Sequence, residues 1–242
     1  MKIYSYDDSP RTKRMSELLE KGLPEWVETV RLFPIPTTRD GKTVCFAGVP
    51  IWDCLKELGD GELVVGYGIP EDIRTSLFRA GIRVADAALD EKFLVDNAEL
   101  TALGTLGHIL LEGGVAVSDL SIGIVGYGRI GSALVRLLLP LSAELTVYTG
   151  RESVRAELGG YGIRSESETD FAGIEELDIL INTAPAPLLA GVQKPHGLRV
   201  IDLASGDYLC AWSGVEKYPS LPSRLYPESS AKIWYQSVLR SI

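Results

Sequence analysis

The chain has 242 residues, a formal net charge of -9, 45% hydrophobic and 24% charged residues. That length suits one large domain or two small ones, and the composition is ordinary for a soluble globular protein. The acidic balance argues against nonspecific nucleic-acid binding, which wants a basic face, and no apolar run approaches the ~18 residues of a membrane helix. Residues 1–8 lack the apolar core of a signal peptide. Cys45, Cys54 and Cys210 lie far apart with no Cys-x-x-Cys, which suits reduced thiols in a cytoplasmic protein better than a disulfide framework or a metal site.

Residues 2–6 read as a first strand. Asp7-Asp8-Ser9-Pro10 then caps a helix whose apolar side is Met15, Leu18 and Leu19. Residues 26–33 contain a second strand, 34–41 are a loop by composition, 51–58 a short helix and 62–66 a strand. A helix opened by proline follows over 70–80, then a strand over 82–86. This alternation predicts a small parallel α/β layer. Residues 91–114 change character: Leu100, Leu103, Leu106 and Leu110 recur at helical spacing and Gly113-Gly114 ends the run. They predict a helix connecting two units.

The second unit is organised around Gly126-Tyr127-Gly128-Arg129-Ile130-Gly131, a Gly-x-Gly-x-x-Gly turn. A bare match is weak, but its context is strong. Ser121-Ile-Gly-Ile-Val125 before it suits a buried strand, and Ile130, Ala133, Leu134, Leu137, Leu138 and Leu141 after it keep helical spacing. Strand, glycine turn and helix is the dinucleotide-binding arrangement. Gly126 permits the tight turn, Gly128 lets a pyrophosphate approach the backbone, Gly131 lets the helix pack closely, and the helix N-terminus attracts the phosphates. Later strands are expected over 144–149, 178–183 and 198–203, and a terminal helix from Pro227 with Ile233, Trp234, Val238, Leu239 and Ile242 on its apolar side.

The expected fold is thus α/β: a Rossmann-type doubly wound parallel sheet over 99–226, linking helix included, plus a smaller flavodoxin-like α/β domain over 1–98 completed by the helix 227–242. Two such units leave a cleft between them, a preferred position for small-molecule sites. An acidic residue about 20 positions beyond the glycines would hold the adenosine ribose of NAD. Thr149 stands there instead, followed by Gly150, Arg151 and Ser153. A hydroxyl and a guanidinium suit the 2′-phosphate of NADP, so NADP is expected, with NAD the alternative if Glu152 serves as the ribose acid. Thr183-Ala184-Pro185 and Ala204-Ser205, at later strand ends, are expected to line the nicotinamide half.

Together these segments resemble the dehydrogenase-like dipicolinate synthase family, relatives of the D-2-hydroxyacid dehydrogenases. Asn97-Ala-Glu-Leu-Thr101-Ala-Leu-Gly104-Thr105 is similar to the family's Asn-x-x-Pro-Thr-x-Glu-Gly. Asp178-Ile-Leu-Ile-Asn182-Thr183-Ala-Pro185 resembles Asp-Ile-x-Ile-Asn-Thr-x-Pro, and Ile201-Asp202-Leu203-Ala204-Ser205 resembles Leu-Asp-Leu-Ala-Ser. Arg11, Pro34, Thr37-Thr38, Gly41 and Gly68-Ile69 fall where the family has similar residues, and the first unit looks short. Leu100 and Leu103 depart from the family's Pro and Glu, and Pro227-Glu228-Ser229-Ser230 from its Pro-Lys-Thr-Ala. The resemblance implies a cytoplasmic oxidoreductase that takes dihydrodipicolinate to dipicolinate with hydride passing to NADP. It also implies a role in sporulation beside a flavoprotein-like second subunit, and a homo-oligomer is expected.

His108 in the linking helix reads as structural and His196, in a Lys-Pro-His-Gly loop, as surface. A hydroxyacid dehydrogenase wants an imidazole near its C-terminal Leu-Pro segment; residues 221–226 hold none, and Tyr226 would need strong tuning to serve. No catalytic acid or base is therefore assigned. Oxidising a dihydropyridine asks less, since the product is aromatic: the protein must hold two carboxylates and align a carbon. Arg11, Thr37, Thr38, Thr101 and Arg224 are the candidates to hold a small dicarboxylate. The alternatives are a D-2-hydroxyacid dehydrogenase-like enzyme on another small acid, and a non-catalytic NADP-binding partner subunit.

Overall fold

The apolar runs of this chain become strands buried on both faces, as parallel strands covered by helices must be. The computed structural model describes residues 1–112, 114–209 and 211–242. They form two compact units, Met1–Asn97 with Pro222–Ile242, and Ala98–Leu221.

In the first unit, β1 (Lys2–Ser5), β2 (Thr29–Leu32), β3 (Glu62–Gly66) and β4 (Arg83–Asp86) pair in chain order, all parallel. A flavodoxin-like sheet has the order 2-1-3-4-5; without its outermost second strand it leaves this arrangement, consistent with a first unit that reads as short. α1 (Pro10–Gly22), α3 (Glu71–Arg79) and α8 (Pro227–Ser241) accompany the sheet, with a four-residue helix α2 (Ile51–Cys54). Met15 and Leu19 of α1 pack with Val30, Leu32, Leu63 and Val65 of the sheet and with Trp234 and Val238 of α8. The C-terminal segment thereby supplies core to the N-terminal sheet. Leu239, expected on the buried side, is 42% exposed.

In the second unit, β5 (Ser121–Val125), β6 (Glu144–Tyr148), β7 (Arg164–Glu166), β8 (Ile179–Asn182), β9 (Arg199–Asp202) and β10 (Val215–Lys217) form one parallel sheet in the order β10-β9-β8-β5-β6-β7. Numbered from β5, this is the doubly wound order 3-2-1-4-5-6, and the direction of winding reverses between β5 and β8. α5 (Arg129–Leu138) buries Ala133, Leu134, Val135 and Leu138 against Ile122, Ile124, Val147 and Ile181. Sequence reading passed over β7 and β10, three residues each, and α6 (Glu152–Gly160), because their burial patterns lack a clean period.

α4 (Glu91–Glu112) is the predicted connecting helix, with a different inner face. Ala98, Thr101, Ala102, Thr105 and Ile109 are buried, whereas Leu103 and Leu110 are 42% and 58% exposed. Both sets keep helical spacing; the small residues allow a close approach that the leucines would obstruct. Gly113, expected to end this helix, and Cys210 lie outside the described residues. Cys45 and Cys54 are free thiols. No helix among the described residues is long and apolar enough to cross a membrane.

Candidate functional site

The turn between β5 and α5 shows three glycines used for three reasons. Gly126 has φ +89, and a Cβ on it would lie 3.0 Å from Thr183 Oγ1. A Cβ on Gly131 would stand 2.2 Å from the Gly126 carbonyl oxygen, so the helix comes as close as it does only without one. At Gly128 nothing lies within 4 Å of a Cβ position. That residue is the N-cap of α5, in extended geometry, and gives no side-chain cap. The first turn of α5, without a side-chain cap, stands at the winding reversal of the sheet, where the positive end of the helix dipole favours an anion. Arg129 is exposed at the first helical position. These residues fit a pyrophosphate.

At the end of β6, Thr149 is buried and its hydroxyl accepts a hydrogen bond from the Arg151 N–H at 3.4 Å. The residue expected to greet a 2′-phosphate thus ties the turn. Arg151 is exposed, and its guanidinium donates to the carbonyl of Tyr127, inside the glycine turn. Arg155 donates to the Thr149 carbonyl at 2.6 Å. Glu152 opens α6 and Ser153 follows it, both exposed. A carboxylate that sequence reading did not name also reaches this turn: a Cβ on Gly150 would lie 2.7 Å from Glu168 Oε1. Glu168 comes from the loop after β7, and only the pairing of β6 with β7 brings it here.

On the other side of β5, the ends of β8 and β9 are cross-linked. Asn182 Nδ2 donates to Asp202 Oδ1 at 2.9 Å, and each side chain accepts from the backbone two residues on, Ala184 N–H and Ala204 N–H at 3.2 Å. Thr183 donates to the carbonyls of Val125 and Gly126 at 2.9 and 3.3 Å and so fastens the glycine turn. Asp202 is buried, with Oδ2 unpartnered. Asn182 and Asp202 were legible only as strand-end polar residues; their pairing requires the register of β8 with β9. Pro185 and Ser205 lie in the turns beyond them. His108 stacks on Tyr218 with centroids 3.9 Å apart, and His196 is exposed.

The residues proposed to hold a carboxylate fall into different situations. Arg11 is buried at the start of α1, and its one hydrogen bond goes to the Ile35 carbonyl at 3.3 Å. Thr37 is fully buried; its hydroxyl accepts from Tyr67 N–H at 2.9 Å, bridging two loops. Thr38 donates to Asp40 at 2.9 Å and accepts from Gly41 N–H at 3.0 Å, closing its own loop. Thr101 is buried in α4, where its carbonyl accepts from Thr105 at 2.9 Å. Arg224 is exposed in α7 (Leu221–Leu225). Arg11, Thr37, Thr38 and Arg224 belong to the first unit and Thr101 to the second. The departure at Glu228 is accommodated by Arg14, 2.8 Å away.

No protein-family model and no curated protein matches the chain. Solved structures do. A dipicolinate synthase polypeptide from Bacillus halodurans aligns with a TM-score of 0.76 and 18% identity over 99% of this chain and 97% of that one. The corresponding dipicolinate synthase polypeptide from Bacillus subtilis gives 0.73 and 16% over 99% and 95%. Salmonella D-lactate dehydrogenase gives 0.59 and 16% over 99% and 95%. At such identity the likeness is one of fold, and it extends over both α/β units.

Proposed function

We propose that this chain is an oxidoreductase that binds a nicotinamide dinucleotide, NADP before NAD, and oxidises a small cyclic dicarboxylate of the dihydrodipicolinate kind. The observation that carries the reading is the uncapped α5 N-terminus behind Gly126, Gly128 and Gly131 at the winding reversal. Gly128 and the first turn of α5 would hold the pyrophosphate, Arg151 the adenosine phosphate, and the turns after Asn182 and Asp202 the nicotinamide end. When bound, the dinucleotide supplies the hydride acceptor. The substrate loses a hydride and a proton and becomes an aromatic pyridine, with the proton released to water.

This chemistry suits the groups present. At the ends of β8 and β9 the Asn182 and Thr183 side chains are engaged within the protein, and the His108 imidazole is stacked on Tyr218, whose N–H donates to the Asp202 carbonyl at 3.2 Å. Positioning of the substrate is what these engaged side chains contribute. Fluorescence titration with NADPH and NADH, followed by an absorbance assay of dihydrodipicolinate oxidation with NADP, tests the reading. Equal affinity for the two dinucleotides would refute the NADP preference. Tight binding without turnover would leave a non-catalytic dinucleotide-binding protein.

A further inference from the structure

A charge buried without a partner is costly, and proteins retain one where something outside the fold compensates it. Arg11 is 4% exposed. A guanidinium offers five N–H donors, and this one uses a single donor, toward the Ile35 carbonyl. No described carboxylate lies within ion-pair distance of it. The nearby Asp7 is already engaged by Ser9 and Thr12, which donate to it at 2.6 Å each. Burial lowers the Arg11 pKa to about 10, only partly opposed by the charge of Asp7.

Two more donors share its surroundings. The guanidinium lies 5.8 Å from the Trp234 ring, and the Trp234 indole Nε1 is buried without an acceptor. One turn earlier on α8, on the same face, the Ser230 hydroxyl is also buried without a partner. Arg11 Nε makes a third such donor. The α1–α8 seam therefore gathers three buried polar groups without hydrogen-bond partners and one positive charge that no carboxylate among the described residues pairs. On the same helix as Arg11, Arg14 pairs with Glu17 and with Glu228 of α8.

We propose that Arg11 is the carboxylate receptor of the first unit, taking one carboxylate of a small organic acid through its unused N–H edges. The site rests on the oxidoreductase reading only for the choice of acid; the geometry asks for a planar oxyanion, which a guanidinium grips through paired bonds. Arg11→Met fills the same volume without charge. Because removing an uncompensated buried ion is neutral or stabilising, this variant should melt at or above the parent's temperature. Pyridine-2,6-dicarboxylate should raise the parent's melting temperature by mass action and leave Arg11→Met unmoved, while the matching diamide moves neither.

Arg11→Lys keeps the charge and loses the fork, so it should bind the dicarboxylate roughly tenfold more weakly. Inorganic phosphate at the same concentration separates a carboxylate site from a general anion site: an equal, Arg11-dependent shift with phosphate would overturn the carboxylate assignment. An equal dicarboxylate shift in parent and Arg11→Met, or none in the parent at millimolar ligand with NADP absent and saturating, would overturn the site itself. A fall in the Arg11→Met melting temperature with the ligand response retained would make Arg11 structural. Turnover with KM unchanged in Arg11→Met would sink the receptor and spare the oxidoreductase reading; Arg11-dependent binding without turnover would do the reverse.

Discussion

The first strand of each unit runs into a turn and then a helix, and the two turns treat the helix N-terminus in opposite ways. After β1 the protein fills it. Ser9 Oγ accepts from Thr12 N–H at 3.3 Å, and Asp7 accepts from Ser9 N–H at 3.1 Å and from the Ser9 and Thr12 hydroxyls. Elsewhere in the first unit Asp86 accepts from Gly68 and Ile69 N–H at 2.7 and 2.9 Å, and Asp40 from Lys42 and Thr43 N–H at 2.8 and 2.7 Å. After β5 the protein leaves the end of α5 open behind Gly128. The same strand–turn–helix geometry carries an internal anion in one unit and room for an external one in the other. What differs is the presence of a carboxylate in the turn.

The sharpest way to break this contrast is to give the second unit what the first has. Gly128→Asp places a capping carboxylate at a position whose extended backbone already suits an N-cap. We expect at least about a hundredfold loss of dinucleotide affinity, by repulsion of the pyrophosphate, with stability unchanged or raised by about 1 kcal/mol. Unaltered NADPH titration of the folded variant would refute the placement. Gly128→Ala, which meets open space, should weaken binding less and fold normally.

The reverse experiment empties the first unit. Burial pushes the Asp7 carboxyl up, but the hydrogen bonds from Ser9 and Thr12 outweigh it and hold its pKa below the ordinary value. A depressed carboxylate pKa stabilises the fold above the unfolded value, ~3.9, and the contribution is lost as pH falls through the folded one. Asp7→Asn should cost about 1–2 kcal/mol at neutral pH and remove this part of the acid limb. Urea melts at pH 7 and pH 3 measure both, and a difference between variant and parent that persists undiminished at pH 3 would contradict the assignment.

Two smaller effects probe the adenosine end, which the first unit has no counterpart for. Arg151→Ala should weaken NADPH roughly tenfold and barely change NADH, as expected for one lost charged contact. Glu168→Gln should act in the opposite direction. Its carboxylate overlooks Gly150, where a negative charge opposes a 2′-phosphate, so the variant should favour NADPH over NADH by about threefold more than the parent. An unchanged NADPH-to-NADH preference would mean that Glu168 faces away from the ribose.

The sequence by itself carried the α/β alternation, the glycine turn with a separate reason for each glycine, and strands such as 62–66 and 121–125 to the residue. These features are local: burial on both faces writes an unbroken apolar run, and a turn that must approach a phosphate or a helix admits only glycine. Tertiary structure decided which of two helical faces of α4 turns inward, since leucines and small residues share one spacing and only packing room distinguishes them. It also decided that Thr149, Thr37 and Thr183 are fasteners: Thr149 ties its own turn, whereas Thr37 meets the Tyr67 N–H and Thr183 the Val125 carbonyl, 30 and 58 positions away. Glu168 at Gly150, Asn182 on Asp202 and Trp234 beside Arg11 join residues 18, 20 and 223 positions apart. No local pattern records such pairs; they exist because parallel strands align their ends and because the last helix returns to the first sheet.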